Sequence, residues 1–435
     1  MFITLHKIYV FYISCFLIFF FFFIYSFFYF GDYENYDLNS RLCFLNFIIL
    51  PGIVLSSFQK KFSEKKDFEI LIFLFLLILF LFSSKNVFLF FLFYEISAIP
   101  IILIITLRGR GKKREEARFF LLGYAMVSAT LMFWRIFFFR KIGIMEFFCR
   151  RNVIEWERIK YKNIFFIQSI VILFSLSTFL AKFPVFFLHV WLPKAHVEAP
   201  VYGSMVLARI LLKIRGSAFF SFFMILQNIS LSSSLMIIFF SFFGGRIIGI
   251  VCFNQKDSKI LIALSRVQHM RLSLMGLFSL NSYSLIGAFL VIVSHGFLSP
   301  CLFFLRRLTY DKISSRSFFF FDSKNPKSFG ILLIWFVSVF MRMGFPPFLL
   351  FEGEIILIKL SLKSLWLGFC FFLYFFMSGI YSLSLLSSFL SKKERNSEHY
   401  LSNISRGQTN SYLTLTIIVI PFLFLYFNPN SVIFF

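Results

Sequence analysis

Long apolar runs follow one another along this sequence, and their length limits the chain to a membrane-spanning fold. A helix that crosses a bilayer needs ~20 predominantly apolar residues, and the chain holds about thirteen such runs. Inside lipid the backbone polar groups must be paired internally, as they are in a helix. The sequence therefore predicts an all-α polytopic membrane protein with one integral membrane domain over 1–435. The runs lie near 8–30, 41–58, 69–83, 86–107, 118–139, 163–191, 201–224, 231–253, 260–280, 283–305, 330–363, 364–390 and 412–428.

The composition excludes the soluble and disordered classes. Hydrophobic residues make up 59% of the 435 residues and charged residues 15%, against about 45–50% and 25% in ordinary globular domains. A soluble core stops growing near ~250–300 residues, so a soluble chain of this size could not bury so much apolar surface.

The formal net charge of +24 comes mainly from cations in the gaps between the apolar runs. Cations in such gaps favour contact with headgroups and with anionic lipids, cardiolipin included. We therefore expect membrane lipids, and no nucleic acid, as their partners. The clusters are Lys60–Lys66, Arg108–Arg118, Arg140–Lys162, Arg306–Arg316 and Lys392–Arg406.

Motifs for metals and nucleotides are absent from the sequence. The six cysteines form no CxxC pair, which argues against a zinc site or an iron–sulfur cluster. Neither GxGxxG nor a P-loop is present. We expect no metal, no redox centre and no nucleotide site on this chain.

Two apolar runs are interrupted by proline, one at Pro184 and one at Pro346-Pro347. Each break leaves backbone groups unpaired at membrane depth, which only protein or a hydrated cavity can satisfy. Broken helices at matching places indicate an internal repeat of the transporter type. We predict a first repeat over 69–224, a second over 231–390, and a C-terminal loop and last helix over 391–435.

Ionisable residues inside apolar runs are costly in lipid and mark functional sites by default. The alternatives are a structural ion pair or a protonated carboxyl for Glu95, snorkelling for Lys182, hydrogen-bonded core positions for the histidines, and a helix-terminal carboxylate for Glu354. The sequence has no cofactor motif, so a row of ionisable side chains through a helical bundle indicates the movement of protons or other cations. The candidates are Glu95, Lys182, Lys213, His269, His295 and Glu354.

Two charge relationships refine this hypothesis. A buried lysine releases its proton more easily, and a nearby carboxylate counteracts this, so a Glu95–Lys182 pair could switch the lysine between proton-holding and proton-releasing states. Arg209 lies one helical turn before Lys213, on the same face; alternatively, it faces headgroups or a partner subunit. Glu352 could take the helix-terminal position in place of Glu354.

One stretch resembles a known family. Residues 188–200 read Leu-His-Val-Trp-Leu-Pro-Lys-Ala-His-Val-Glu-Ala-Pro, and the similarity continues through 203–213. This string looks like the mitochondrial form of a motif in the antiporter-like membrane-arm subunits of NADH:ubiquinone oxidoreductase, respiratory complex I. Further agreement lies at 94–100, 257–263, 269–270, 294–296 and 346–354.

The resemblance implies a fold of about 13–14 transmembrane helices with two inverted repeats, each with a discontinuous helix. It implies that Glu95 modulates Lys182, the proton carrier of the first half. Lys213 would then be the central relay and Glu354 the exit-side carboxylate. His269 and His295 would lie on the central hydrophilic axis. Residues 192–200 would form a connecting loop at the membrane face, with Pro200 starting the next helix.

The implied function is proton translocation by a core membrane-arm subunit, coupled to quinone reduction elsewhere in the enzyme. Ubiquinone, FMN, NADH and iron–sulfur clusters would belong to other subunits, and the partners would be neighbouring membrane-arm subunits, including antiporter-like ones. The expected location is the mitochondrial inner membrane. Since no Arg- and Ser-rich transit segment precedes the run at 8–30, we expect an organelle-encoded chain.

Two other functions are compatible with parts of the sequence: a stand-alone cation/proton antiporter of the related family, and a degenerate scaffold that only spaces its neighbours. The sequence also departs from the family. The N-terminal part reads one span short of the family pattern, and cations stand at Arg209, Arg215, Arg266 and Arg342, where the family usually has small or neutral residues.

Overall fold

The computed structural model describes residues 65–142, 180, 183, 185–216, 231–313 and 329–390, apart from 85, 86, 110, 112, 215, 280, 347, 363 and 364. The apolar runs near 8–30, 41–58 and 412–428 lie outside these residues, as does most of 163–191. Every regular element that the described residues form is a helix.

The helices follow the apolar runs closely. In chain order they are α1 (Lys65–Ser83), α2 (Val87–Ile96), α3 (Ala98–Arg108), α4 (Arg114–Ile142), α5 (Trp191–Glu198), α6 (Val201–Val206), a π-helical turn (Leu207–Leu211), α7 (Leu231–Phe253), α8 (Ser258–Phe278), α9 (Ser282–Ile313), α10 (Phe329–Arg342), α11 (Leu349–Ser361) and α12 (Leu365–Leu390).

Three stretches of the described chain are long and apolar enough to cross a membrane: Phe88–Arg108, Arg114–Trp134 and Tyr283–Tyr310. The first joins α2 and α3 through a turn at Ser97, and Pro100, in the first turn of α3, has no N–H to offer the carbonyl of Ile96. The Ser97 hydroxyl donates to the Tyr94 carbonyl (2.7 Å). Glu95 therefore lies two residues before this turn.

The interior of the bundle is built around α8 and α9. Every residue from Leu261 to Phe278 and from Gly287 to Arg306 is buried, whereas α4 exposes large apolar side chains such as Trp134. Helix α11 packs against α9 at close range, since a Cβ added at Gly353 would lie 2.9 Å from Val291. Ionisable side chains within these buried stretches of α8 and α9, together with Glu354 on α11, are thus held away from lipid.

The second predicted interruption is confirmed. Helix α10 ends at Arg342, Gly344 adopts a left-handed backbone with φ of +66°, and α11 begins at Leu349. At the first interruption the described residues 185–190 form turns, in which Phe187 has a φ of +71°. Lys182 and Pro184 lie outside the described residues.

The prediction of a connecting loop over 192–200 is wrong. Residues Trp191–Glu198 form α5, and Pro200 is the N-cap of α6, which begins at Val201. Pro193 is tolerated because it stands in the first turn of α5, where backbone N–H groups lack helical partners anyway. Lys259 on α8 donates to the carbonyls of Val197 and Ala199, both at 2.8 Å, and so caps the end of α5.

The fold is thus the predicted all-α membrane architecture with interrupted helices. The repeat boundaries at 69–224 and 231–390 stay predictions.

Candidate functional site

Lys213 lies two residues after the end of the π-helical turn and points into the bundle. Its side chain is 3% exposed, and its Nζ lies 2.9 Å from Nδ1 of His295 on α9. The same Nζ donates to the carbonyl of Ala208 at 3.4 Å. Single π turns recur at functional sites in helices because they alter the regular hydrogen-bonding pattern. Here the turn precedes a buried lysine that contacts a buried histidine.

The neighbour of His295 makes room for this contact. A Cβ added at Gly296 would lie 3.1 Å from Cε of Lys213, so the absent side chain leaves a place for the lysine stem. One turn later, Pro300 lies inside α9 and has no N–H for the Gly296 carbonyl. The lysine therefore approaches α9 at a glycine, one turn before a proline inside that helix.

His269 on α8 continues the polar arrangement. Its ring centroid lies 5.9 Å from that of His295, with the ring planes tilted by 45°. Its Nδ1 lies 2.9 Å from the hydroxyl of Tyr374 on α12 and 3.9 Å from Oε1 of Glu354 on α11. All four side chains are buried.

The second helix break positions Glu354. The other carboxylate oxygen, Oε2, lies where a Cβ of residue 344 would stand, so only a glycine allows this approach. Glu352 is half-buried and lies in the first turn of α11. Glu354, two residues later, is buried. The alternative of a carboxylate at the helix terminus thus fits Glu352 and not Glu354.

Predicted residues from distant parts of the sequence therefore meet in the interior. We call Lys213, His295, His269 and Glu354 the buried file. Imidazole can take up a proton at one ring nitrogen and release one from the other, so lysine, two histidines and a carboxylate in this order can pass protons along the file.

The other two predicted residues are not members of the buried file. Glu95 is half-buried on α2, which packs mainly against α1, α3 and α4. Lys182 lies outside the described residues, so its pairing with Glu95 stays a prediction.

The arginines that depart from the family lie inside the bundle. Arg209 is buried with its guanidinium 5.6 Å from the Phe297 ring, so the alternative in which it faces headgroups or a partner subunit is wrong. Arg342 lies 4.9 Å from the Tyr381 ring. Aromatic faces attract such cations. The side chain of Arg215 lies outside the described part.

Arg266 is held by a histidine and an aromatic ring. Its Nη1 lies 3.0 Å from Nε2 of His196 on α5, and its guanidinium is 4.2 Å from the Phe303 ring. His196 stacks on the same ring at 5.1 Å. This stack joins α5 to α8 and α9.

Sequence reasoning missed Tyr374 and Arg271. Tyr374 stands in a phenylalanine-rich run, where its hydroxyl was the only available signal, since a buried tyrosine usually needs a hydrogen-bond partner. Arg271, buried on α8 and 5.4 Å from the Phe186 ring, could have been recognised as a charge within an apolar run.

No three His, Cys, Asp or Glu side chains of the described segments converge in a way that could hold a metal ion. Cys252 and Cys301 are buried free thiols.

Known proteins are similar to this chain in sequence and in fold. A family described as "NADH:quinone oxidoreductase/Mrp antiporter, TM" matches residues 84–381. NADH-ubiquinone oxidoreductase chain 4 of Ceratitis capitata is 36% identical over 262 residues, which cover 60% of this chain and 56% of the relative. The protein of that name from Aedes aegypti is 30% identical over 325 residues, covering 74% of this chain and 70% of the relative.

A chain of respiratory complex I from Thermus thermophilus with bound NADH has the same fold. Its TM-score is 0.75 at 20% identity, covering 91% of this chain and 81% of that one. The chain spans little more than half the length of the Ceratitis relative. Because the family match extends over more than half of its residues, the chain belongs to the NADH:quinone oxidoreductase/Mrp antiporter transmembrane family.

Proposed function

We propose that this chain is a core membrane-arm subunit of NADH:ubiquinone oxidoreductase that translocates protons, coupled to quinone reduction elsewhere in the complex. The observation that carries the proposal is the buried file of Lys213, His295, His269 and Glu354, with the contacts given above. Its relatives named NADH-ubiquinone oxidoreductase chain 4 support the choice of this complex within the family.

The energetic cost of the buried file favours transport over a scaffold. Desolvating an ionisable group costs several kcal/mol by common estimates, and apolar replacements of buried ion pairs are often neutral or stabilising. A scaffold would gain stability if apolar residues replaced these groups, whereas a proton path requires them. In the proposed path Lys213 is the central relay, His295 and His269 follow it, and Glu354 is the exit-side carboxylate.

We extend the proposal to Lys182 and Glu95, which belong to the first half of the chain. Lys182 carries the proton of that half, and Glu95 modulates it when a charge changes in a neighbouring subunit. The chain works in the mitochondrial inner membrane beside other membrane-arm subunits and lipids such as cardiolipin. Ubiquinone, NADH, FMN and iron–sulfur clusters act on other subunits.

Lys213→Met in the assembled complex tests the function. We expect fewer protons translocated per NADH oxidised, with assembly retained, because methionine fills a similar volume and carries no proton. The matched control is Lys359→Met, at an exposed lysine of α11, which should pump as the wild type does. Normal pumping by an assembled Lys213→Met complex would refute the proposal.

The second candidate is a stand-alone cation/proton antiporter, which the family description also includes. It predicts exchange of sodium or potassium for protons by the isolated chain in liposomes without any electron donor. Such exchange, abolished by Lys213→Met, would favour the antiporter over the complex subunit.

A further inference from the structure

Two side chains from different helices approach the same nitrogen of His269. The hydroxyl of Tyr374 lies 2.9 Å from Nδ1, and Oε1 of Glu354 lies 3.9 Å from it. The tyrosine ring stands nearly perpendicular to the imidazole, at 85° and with the centroids 6.2 Å apart. The hydroxyl is therefore within hydrogen-bonding distance of Nδ1, whereas the carboxylate is beyond it.

The hydroxyl of Tyr374 and the carboxylate of Glu354 differ in the hydrogen bonds that they can form with Nδ1 of His269. Nδ1 carries either one hydrogen or one lone pair, a tyrosine hydroxyl both donates and accepts, and an ionised carboxylate only accepts. Tyr374 can thus satisfy Nδ1 in either of its states. Ionised Glu354 can satisfy it only when a hydrogen is present.

We propose that Tyr374 gates proton transfer from His269 to Glu354 by holding Nδ1 in hydrogen bonds before and after the transfer. This inference rests on the proposed function. Tyr374 is a positioning residue: its hydroxyl keeps its own proton throughout, and the transferred proton passes directly from nitrogen to carboxylate.

The step balances with one proton entering and one leaving. At the start His269 carries its hydrogen on Nδ1 and donates it to the oxygen of Tyr374. A proton from the His295 side bonds to Nε2, which has no hydrogen-bond partner among the described residues. The carboxylate then closes from 3.9 Å to the ~2.6–3.2 Å needed for transfer, and the Nδ1–H bond breaks as an O–H bond forms on Glu354.

The Tyr374 hydroxyl blocks the return of the proton from Glu354 to His269. After the transfer, Nδ1 holds a lone pair, and the Tyr374 hydroxyl turns to donate to it. The protonated carboxyl then has no free acceptor on His269, so its proton leaves in the other direction. Without the hydroxyl, Nδ1 pairs with the protonated carboxyl of Glu354. The proton can then return from Glu354 to His269 as readily as it left.

Tyr374→Phe in the full complex tests the gate, since it removes one oxygen atom and keeps the ring. We expect at least tenfold slower proton translocation at unchanged assembly. The infrared C=O band of protonated Glu354, assigned by its loss in Glu354→Gln, should shift because the carboxyl then pairs with His269. Tyr374→Met repeats the test with a flexible side chain in case the phenylalanine variant does not assemble.

The matched control is Tyr124→Phe, which removes the same oxygen atom at a half-buried tyrosine of α4, a helix that packs mainly against α3 and α5. It should leave the rate and the Glu354 band unchanged. If an assembled Tyr374 variant pumps normally while Lys213→Met does not, the gate is refuted and the proposed function stands. If both pump normally, both are refuted.

Discussion

The side chains of Lys213 and His295 form a buried contact of 2.9 Å between Nζ and Nδ1. An ammonium only donates, so Nδ1 of His295 accepts whenever Lys213 is charged, and the ring hydrogen then lies on Nε2. When the proton moves to the imidazole, the roles reverse and the amine accepts. The pair can thus hold one proton at either end without breaking its hydrogen bond.

Gly296→Ala should disturb this pair. The added Cβ would lie 3.1 Å from Cε of Lys213, so the stem must shift and the contact with His295 should lengthen. We expect proton translocation to fall a few-fold while the complex still assembles. Proton uptake by reconstituted complex during NADH oxidation measures this.

Gly245→Ala is the matched control, because its added Cβ would meet nothing within 4 Å. In the interior of α7 it should stabilise the protein by about 0.5–1 kcal/mol, since alanine loses less backbone entropy than glycine. Equal pumping by the two alanine variants would show that the space beside His295 has no role in transport.

Gly344→Ala should displace Glu354. The residue has a φ of +66°, where a side chain costs roughly 1–2 kcal/mol, and the new Cβ would occupy the place of Oε2 of Glu354. We expect a lower thermal midpoint and loss of most proton translocation. Gly379→Ala, with open space around its Cβ, controls for the substitution, and an unaffected pumping rate in Gly344→Ala would show that transport does not need the carboxylate of Glu354 in this position.

Lys259→Met should loosen α5. Lys259 donates to the carbonyls of Val197 and Ala199, both at 2.8 Å, and hydrogen bonds from a charged group contribute about 1.5–3 kcal/mol. Amide hydrogen exchange over 191–199 should therefore accelerate at least tenfold, since about 1.4 kcal/mol corresponds to a factor of ten. Lys256→Met, at an exposed lysine just before α8, should exchange as the wild type does; matching rates in both variants would mean that this cap contributes nothing.

Much of the helical layout could be predicted from local sequence. Runs such as 69–83 and 231–253 must form helices in lipid, because no other conformation pairs their backbone groups within one segment. Proline at 346 marked the second break for the same reason. The fold of 191–198 could not be derived in this way, since the end of α5 is capped by Lys259, which is distant in sequence.

The buried file likewise has features that local sequence could predict and features that it could not. Ionisable residues in apolar runs are rare because they are costly, so Lys213, His269, His295 and Glu354 could be selected from sequence alone. That Arg209 faces the Phe297 ring of another helix could not be derived from its own segment. Tyr374 stands among phenylalanines, and nothing nearby in the sequence distinguishes its hydroxyl.

The sequence by itself determined that the chain spans a membrane, where the second helix breaks, and which side chains are too costly to keep without a purpose. These follow from transfer free energies and backbone hydrogen bonding, which act within one segment. Only the tertiary structure decided that Lys213 meets His295, that Tyr374 meets His269, and that Gly344 leaves room for Glu354. Those contacts depend on how helices rotate and pack, and packing is set jointly by side chains from many segments.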